Sequence, residues 1–277
     1  MQGKVVVITG ATSGIGQVAA EFLAALGARL VLVARDPGRG QKTLARLRHI
    51  GPAAHGIHYA DLSRLAEMRR VGAEIAAAEP QIDVLINNAG AFFNARRLTE
   101  DGLEMTFALN HMAYFVLTAA LIDRLKAAAP ARVVSTASGA HRSASLDFDD
   151  LQTARDYTGF KAYGRSKLCN ILFTRALARR LSGSGVSASC LHPGFVATRF
   201  GDESGGWRAL AIRAAKLFAI RPEKGAETMI HLATSPEGGE VAGQYFYECR
   251  PATPSAAAQD DAAAERLWAE SARLAGL

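Results

Sequence analysis

Short aliphatic runs alternate along this chain with longer stretches whose apolar positions recur at helical spacing. The runs are Val5-Val6-Val7-Ile8, Leu30-Val31-Leu32-Val33, Ile57-His58-Tyr59, Val84-Leu85-Ile86, Val133-Val134, Val186 to Leu191 and Tyr245-Phe246-Tyr247. Between most of them lie helix-length segments: Gln17 to Leu26, Gly40 to Ile50, Leu62 to Ala78, Gly102 to Leu125 and Lys161 to Leu181. Strands that are apolar on both faces, joined by helical crossovers, imply a parallel sheet covered on both sides. The pattern therefore predicts an α/β, doubly wound fold. Gly27, Pro80 and Pro130 fall where helices should end, and no internal repeat interrupts the alternation.

Composition narrows this picture. A chain of 277 residues, 49% of them hydrophobic and 21% charged, can bury a large core, which excludes disordered, collagen-like and disulfide-stapled molecules. The length suits a single domain over residues 1–250, including a substrate lid at about 195–220, with residues 251–277 as a C-terminal tail. In that tail Asp261 to Leu274 reads as an amphipathic helix packed on the body. Thirty-two Lys and Arg against 26 Asp and Glu leave a formal charge of +6. The basic residues are scattered, with one dense cluster at Arg175, Arg179 and Arg180, too little for a nucleic-acid surface. A polyanionic small molecule fits the excess better. Cys169, Cys190 and Cys249 are odd in number and lack C-x-x-C spacing, so reduced thiols are expected rather than disulfides or zinc. The most apolar stretch, Met112 to Ile122, is shorter than the roughly 20 residues of a membrane span. The first strand also begins too early to leave room for a signal peptide or anchor. These features predict a soluble, cytoplasmic protein.

Chemistry enters at the first turn. Thr9-Gly10-Ala11-Thr12-Ser13-Gly14-Ile15-Gly16 lies between the first strand and the first helix. Glycines there allow a tight turn and bring backbone N–H groups close to a pyrophosphate, which sits at the positive end of the helix dipole. The end of the second strand decides which dinucleotide binds. The acid's usual place is taken by Ala34, followed by Arg35, which favours NADP(H); the competing reading gives Asp36 to the ribose and makes the cofactor NAD(H), unless Asp36-Pro37 only opens a turn. Arg39 or Lys42 could extend a phosphate site. Asp61-Leu62, after the third strand, could accept the adenine amino group or cap the next helix. Asn87-Asn88-Ala89-Gly90 ends the fourth strand, where Asn87, Ala89 and Gly90 would meet the cofactor.

Tyr163 and Lys167 stand four residues apart, on one face of a helix. A phenol with a pKa near 10 is a poor base at neutral pH. Lowering it toward neutrality takes roughly 3 to 4 kcal/mol, which a neighbouring ammonium and a nicotinamide charge could supply in a low-dielectric cleft. Ser138 ends the fifth strand at the sheet edge where open α/β proteins place ligands. Asn110 lies inside a predicted helix, where an amide wants a reason. Pro193-Gly194-Phe195-Val196-Ala197-Thr198 could offer backbone N–H groups to a carboxamide. Tyr157, with Lys161 at its own fourth position, is the rival phenol. His141 and His192 have no partner at metal-ligand spacing, His192 before Pro193 reads as a structural residue at a strand end, and both stay outside this site.

In this order, from glycine motif to Pro-Gly-x-x-x-Thr, the motifs resemble the short-chain dehydrogenase/reductase family over about Lys4 to Tyr247. Within it, Ala34-Arg35-Asp36, Asn110-His111, Ser138-Gly139-Ala140-His141, Ser166 to Phe173 and Arg266-Leu267-Trp268 are most similar to the retinol-dehydrogenase-like branch. The resemblance implies a Rossmann-like fold and hydride transfer to or from C4 of a nicotinamide. Tyr163 would be the general acid or base, and Lys167 would lower its pKa and bind the nicotinamide ribose. Ser138 would orient the substrate oxygen, and Asn110 would hold a water linking Lys167 to solvent. Cofactor contacts are expected from Gly10, Thr12, Ser13, Gly14, Ile15, Gly16, Arg35, Asp61, Leu62, Asn87, Ala89, Gly90, Tyr163, Lys167, Pro193, Gly194, Val196 and Thr198.

The substrate pocket is expected among Phe92 to Arg97, Gly139 to Phe160 and Phe195 to Leu217. Phe92, Phe93, Phe195, Phe200, Trp207 and Phe218 favour a hydrophobic carbonyl or alcohol over a sugar phosphate, and Gly201, Gly205 and Gly206 could let a lid move. The competing function is a catalytically silent NADP(H)-sensing regulatory protein. The helices Leu103 to Leu125 and Ala162 to Leu181 are expected to pair across a homo-oligomer, a dimer or tetramer.

Overall fold

The computed structural model describes residues 1–51, 54–194 and 221–277. The proposed lid, with Val196 and Thr198, lies outside the described residues. Eight strands form one sheet: β1 (Val5–Thr9), β2 (Arg29–Ala34), β3 (Gly56–Tyr59), β4 (Val84–Asn87), β5 (Ala131–Thr136), β6 (Val186–His192), β7 (Tyr245–Tyr247) and β8 (Arg250–Pro251). Their order is β3-β2-β1-β4-β5-β6-β7-β8, parallel throughout except for β7 against β8. The sheet is thus the doubly wound one that the alternation predicts.

Alternate strand residues feed two cores, as the two-residue period of a strand requires. Val6 and Ile8 of β1, Leu30 and Leu32 of β2, and Val84 and Ile86 of β4 join one core with α1 (Gly14–Ala25), α2 (Pro37–Ile50) and, after the undescribed stretch, Pro222–Thr234. Val7, Val31, Val33 and Leu85 join the other with α3 (Leu65–Ala78), α4 (Met105–Ala127), α5 (Gly159–Arg180) and the tail helix. Each fully buried Leu or Ile is worth about 1.5–3 kcal/mol against leaving it in water. We number the helix Pro222–Thr234 α6, the short Pro236–Glu240 α7 and the tail helix Asp261–Ala275 α8.

Three elements differ from expectation. Helix α4 contains a π turn at Ala108–Met112, and at 23 residues it is long and apolar enough to cross a membrane, yet 72% of its most apolar window is buried within the fold. It is a core helix of this sheet. Strand β8 was invisible because its hairpin turn uses Glu248 and Cys249, both at positive φ (50° and 61°), where Asn-Gly would be the recognisable signal. Finally, the α4–α5 face expected to join two subunits is covered by the chain's own tail. Trp268 of α8 stacks on Phe173 of α5 at 5.9 Å and meets Phe115 of α4 edge-on at 4.9 Å. The part of that face around Phe115 and Phe173 is thereby buried within the chain.

The same contact gives the basic cluster its partners. Arg175 and Arg179 pair with Asp261 (2.8 and 2.7 Å), and Arg179 and Arg180 pair with Glu265 (2.8 and 2.6 Å). The Arg180 guanidinium also lies 4.1 Å over the Trp268 ring.

Candidate active site

The strand order reverses between β1 and β4, and the crevice outside their carboxyl ends opens into a cavity of about 1010 Å³. That lies at the upper end of the roughly 300–1,000 Å³ of ligand clefts. Gly10, Thr12, Ser13, Gly14 and Ile15 line one end. Gly10 sits at φ +71°, and a Cβ there would stand 2.8 Å from Ala89 Cα. Gly16 does not line the cavity; its missing Cβ would meet Asn88 Nδ2 at 2.4 Å and Gly10 O at 2.5 Å, so it permits the helix to seat under the loop. The loop is thus a bare backbone cradle above a helix N-terminus, which fits a dinucleotide pyrophosphate.

Asn88, rather than Asn87, belongs to this cradle. Its Nδ2 donates to Thr9 O (3.1 Å) and Gly10 O (3.3 Å), while the N–H groups of Asn88 and Ala89 both donate to Thr9 Oγ1 at 2.9 Å. Asn87 is fully buried and donates instead to Thr118 Oγ1 of α4 at 3.0 Å. The adjacency of the two amides hid which of them faces the ligand, since alternate residues at a strand end point to opposite sides.

Arg35 and Arg39 line the cavity beyond β2, together with Asp61 and Leu62 beyond β3. Asp36 caps α2 by accepting from Arg39 N at 2.7 Å and is not among the lining residues, so its turn-opening role is the observed one. Asp61 lines the cavity and also accepts from Ser63 N (3.0 Å) and Ser63 Oγ (2.8 Å). It does not cap α3, whose N-cap is Arg64 and whose Leu65 N donates to Asp101 Oδ2 at 2.9 Å, so of the two roles considered only the one facing the cavity remains.

At the other end, Ser138, Tyr163 and Lys167 line the wall with Phe92, Leu109 and Phe160. The phenol of Tyr163 is hydrogen-bonded with Ser138. Lys167, 3% exposed, donates from Nζ to Thr136 O at 3.0 Å and stands 5.6 Å from the Tyr163 ring centroid. Gly90 keeps this corner open: a Cβ there would lie 3.0 Å from Asn110 Oδ1 and 3.5 Å from Lys167 Nζ. Tyr157 is occupied elsewhere, with its hydroxyl on Phe93 O at 3.1 Å and Glu104 Oε1 at 3.2 Å.

The electrostatics run opposite to the sequence expectation for the phenol. Burial pushes Tyr163 up to about 12, only partly opposed by the Ser138 bond. Burial also pushes Lys167 down to about 7. Desolvation disfavours both charged forms. The phenol is protonated at neutral pH and can be the donor, but burial makes it a weaker acid than a free tyrosine.

Asn110 lies in the π turn of α4. Its Oδ1 accepts from Ala91 N (2.9 Å), and its Nδ2 donates to Ala91 O (3.0 Å) and Ser166 Oγ (3.0 Å). The side chain does not line the cavity and has both amide hydrogens engaged. Its visible work is to tie the loop after β4 to helix α5 at Ser166, the residue before Lys167.

The family profile described as short chain dehydrogenase matches residues 4–209. The chain belongs to the short-chain dehydrogenase family. It is 40% identical over 282 residues to human retinol dehydrogenase 13 (Homo sapiens), with 99% of this chain and 85% of that protein covered. Among solved structures, an uncharacterized protein from Mycobacterium paratuberculosis superposes with a TM-score of 0.80 at 31% identity, covering 99% of this chain and 94% of that one. The Pseudomonas aeruginosa RhlG/NADP active-site complex matches with a TM-score of 0.72 at 29% identity, covering 89% and 94%. This short-chain dehydrogenase is retinol-dehydrogenase-like in sequence, and as a family member it is an NAD(P)-dependent oxidoreductase. Pro193 and Gly194 line the cavity as expected, and so does His192, which sequence reasoning had set aside.

Proposed function

We propose that the chain is an NADPH-preferring reductase of hydrophobic aldehydes and ketones, with the reverse alcohol oxidation catalysed by the same residues. The observation that carries the reading is a single cavity with Arg35 and Arg39 at one end and Ser138, Tyr163 and Lys167 at the other. Two guanidiniums suit a 2′-phosphate, which they meet with paired donors. The NADP in the RhlG complex supports the same choice. When bound, the cofactor supplies the hydride.

The protein supplies the rest. The cradle from Gly10 to Ile15 holds the pyrophosphate on backbone N–H groups. Ser138 Oγ and the Tyr163 hydroxyl converge on the substrate oxygen, and Tyr163 gives that oxygen its proton as the carbonyl carbon is reduced. Lys167, when protonated, lies near enough to stabilise the phenolate left behind, and Thr136 O fixes its position. Phe92 and Phe160 give the substrate end an apolar wall, which favours an apolar or aromatic carbonyl.

The test is a panel of hydrophobic aldehydes, ketones and alcohols followed by NADPH absorbance, with NADH in parallel. Turnover of a carbonyl with NADPH preferred supports the reading. Tight NADPH binding with no turnover across the panel would establish the silent sensor instead. Cytoplasmic residence belongs to the same proposal: recovery in the membrane pellet on fractionation contradicts it. So does the homo-oligomer, a dimer or tetramer, and sedimentation equilibrium reads its mass.

A further inference from the structure

Two histidines that the catalytic reading leaves unused close on one peptide bond. Ser138 O accepts from His141 Nδ1 at 2.6 Å, and the next residue's amide, Gly139 N, donates to His192 Nδ1 at 3.1 Å. The peptide that follows Ser138 thus has its carbonyl held by one imidazole and its N–H held by the other.

The partners dictate the protons. His192 Nδ1 faces two donors, Gly139 N and, at 3.3 Å, Gly194 N, so it carries no hydrogen and the ring proton sits on Nε2. His141 Nδ1 faces a carbonyl oxygen while its Nε2 accepts from Ser255 N at 3.2 Å, so its proton sits on Nδ1. The pair is neutral and of opposite tautomers. Both rings are backed by β7: Tyr245 packs on His141 and Tyr247 stacks on His192, each with centroids 5.1 Å apart. These tyrosines are two residues apart and share one face of the strand. A side chain at Gly139 would crowd the His192 ring, since a Cβ would stand 3.1 Å from His192 Nε2.

We propose that His141 and His192 form a positioning clamp that fixes Ser138 for catalysis and, through Gly194, ties it to the cofactor loop after β6. The proposal rests on the role given to Ser138 above. A displacement of about 1 Å at such a group can cost 10²-fold in rate, and this clamp removes the rotation of the Ser138–Gly139 peptide that would produce one. Burial supports it by lowering both imidazoles. His192 comes down to about 4, with His141 and Arg142 opposing its charge; Tyr247 faces the same ring, and Tyr163 and Lys167 lie on the wall of the same cavity.

The test compares His192→Leu with His192→Asn, whose amide oxygen takes the place of Nδ1 as acceptor. Single-turnover reduction with NADPH, NADPH affinity and imidazole ¹⁵N spectra are read on each full-length protein. The expected result is opposite tautomers for His141 and His192 in the wild type, a roughly 10- to 100-fold fall in rate for His192→Leu, and recovery to within about threefold for His192→Asn. Equal rates for His192→Leu and wild type overturn the clamp. So does His192→Asn being as slow as His192→Leu, which would mark a purely structural ring, or identical tautomers at the two positions. A wild type inert toward every carbonyl but showing the two tautomers and a Gly139 amide protected from exchange would instead overturn the reductase reading.

Discussion

The two ends of the cavity are built by different means. The cofactor end is a backbone structure: Gly10 at positive φ, Gly16 packed under it, and Asn88 and Thr9 bonded to main-chain atoms around them. The reacting end is a side-chain structure, in which Ser138, Tyr163 and Lys167 converge from a strand end and a helix, and histidines hold the strand end in place. Backbone recognition tolerates variety in side chains but not a Cβ at the glycines. Side-chain recognition tolerates nothing at a few positions and depends on burial for its pKa values.

That contrast orders the expected effects. Removing the proton donor should be the largest: Tyr163→Phe should lower carbonyl reduction about 10²- to 10⁴-fold with the fold retained by circular dichroism. At the cofactor end, Gly16→Val should abolish NADPH binding or folding, since its branched side chain must occupy the space of Asn88 Nδ2 and Gly10 O; calorimetry and a melting curve separate the two. Next comes Arg35→Ala, which should reduce the NADPH-over-NADH preference about 10- to 100-fold, the worth of charged hydrogen bonds of roughly 1.5–3 kcal/mol. An unchanged ratio would remove Arg35 from the site. Away from both ends, Leu267→Ala in α8 should cost about 2–5 kcal/mol in denaturant unfolding, because this side chain is 1% exposed in the core that seals α4 and α5. Asp261→Asn, by contrast, should cost under about 1 kcal/mol, because its arginine partners are surface pairs.

The acid limb of stability follows from the reacting end and the tail. His192 is lowered to about 4 and His111, buried between α4 and α8, to about 3, while His55 and His141 are lowered as well. Each takes up its proton near 6.5 in the unfolded chain but only at lower pH in the folded one. Their contribution is therefore complete above about pH 6.5 and is lost as pH falls toward 3 to 4. Stability against urea, measured from pH 7 to pH 4, should fall over that window.

How much of this was legible in the sequence follows the same division. The sheet, the crossovers and the phosphate loop were readable because period and glycine placement are local signals. So was the Tyr163 and Lys167 pair, which shares one helical face. What stayed hidden depends on distant contacts. Asn88 was hidden by its twin Asn87, and the bonds of Asn110 to Ala91 and Ser166 cross between elements. The upward shift of Tyr163 needs a burial that no spacing reveals. His192 reads from sequence as a strand-end structural residue, but its partners, backbone amides from two loops, could not be named without the fold. The Arg175, Arg179 and Arg180 cluster looked like unowned charge until α8 placed Asp261 and Glu265 against it.

The central claim is that Tyr163 delivers the proton during hydride transfer from NADPH. Its most direct test is single-turnover NADPH oxidation by Tyr163→Phe, with a carbonyl that the wild type reduces, alongside a measured NADPH dissociation constant. The account predicts NADPH bound within about tenfold of wild type, a change smaller than one hydrogen bond to a charged group, and a transfer rate reduced by at least about 10². Transfer at the wild-type rate by Tyr163→Phe would contradict it.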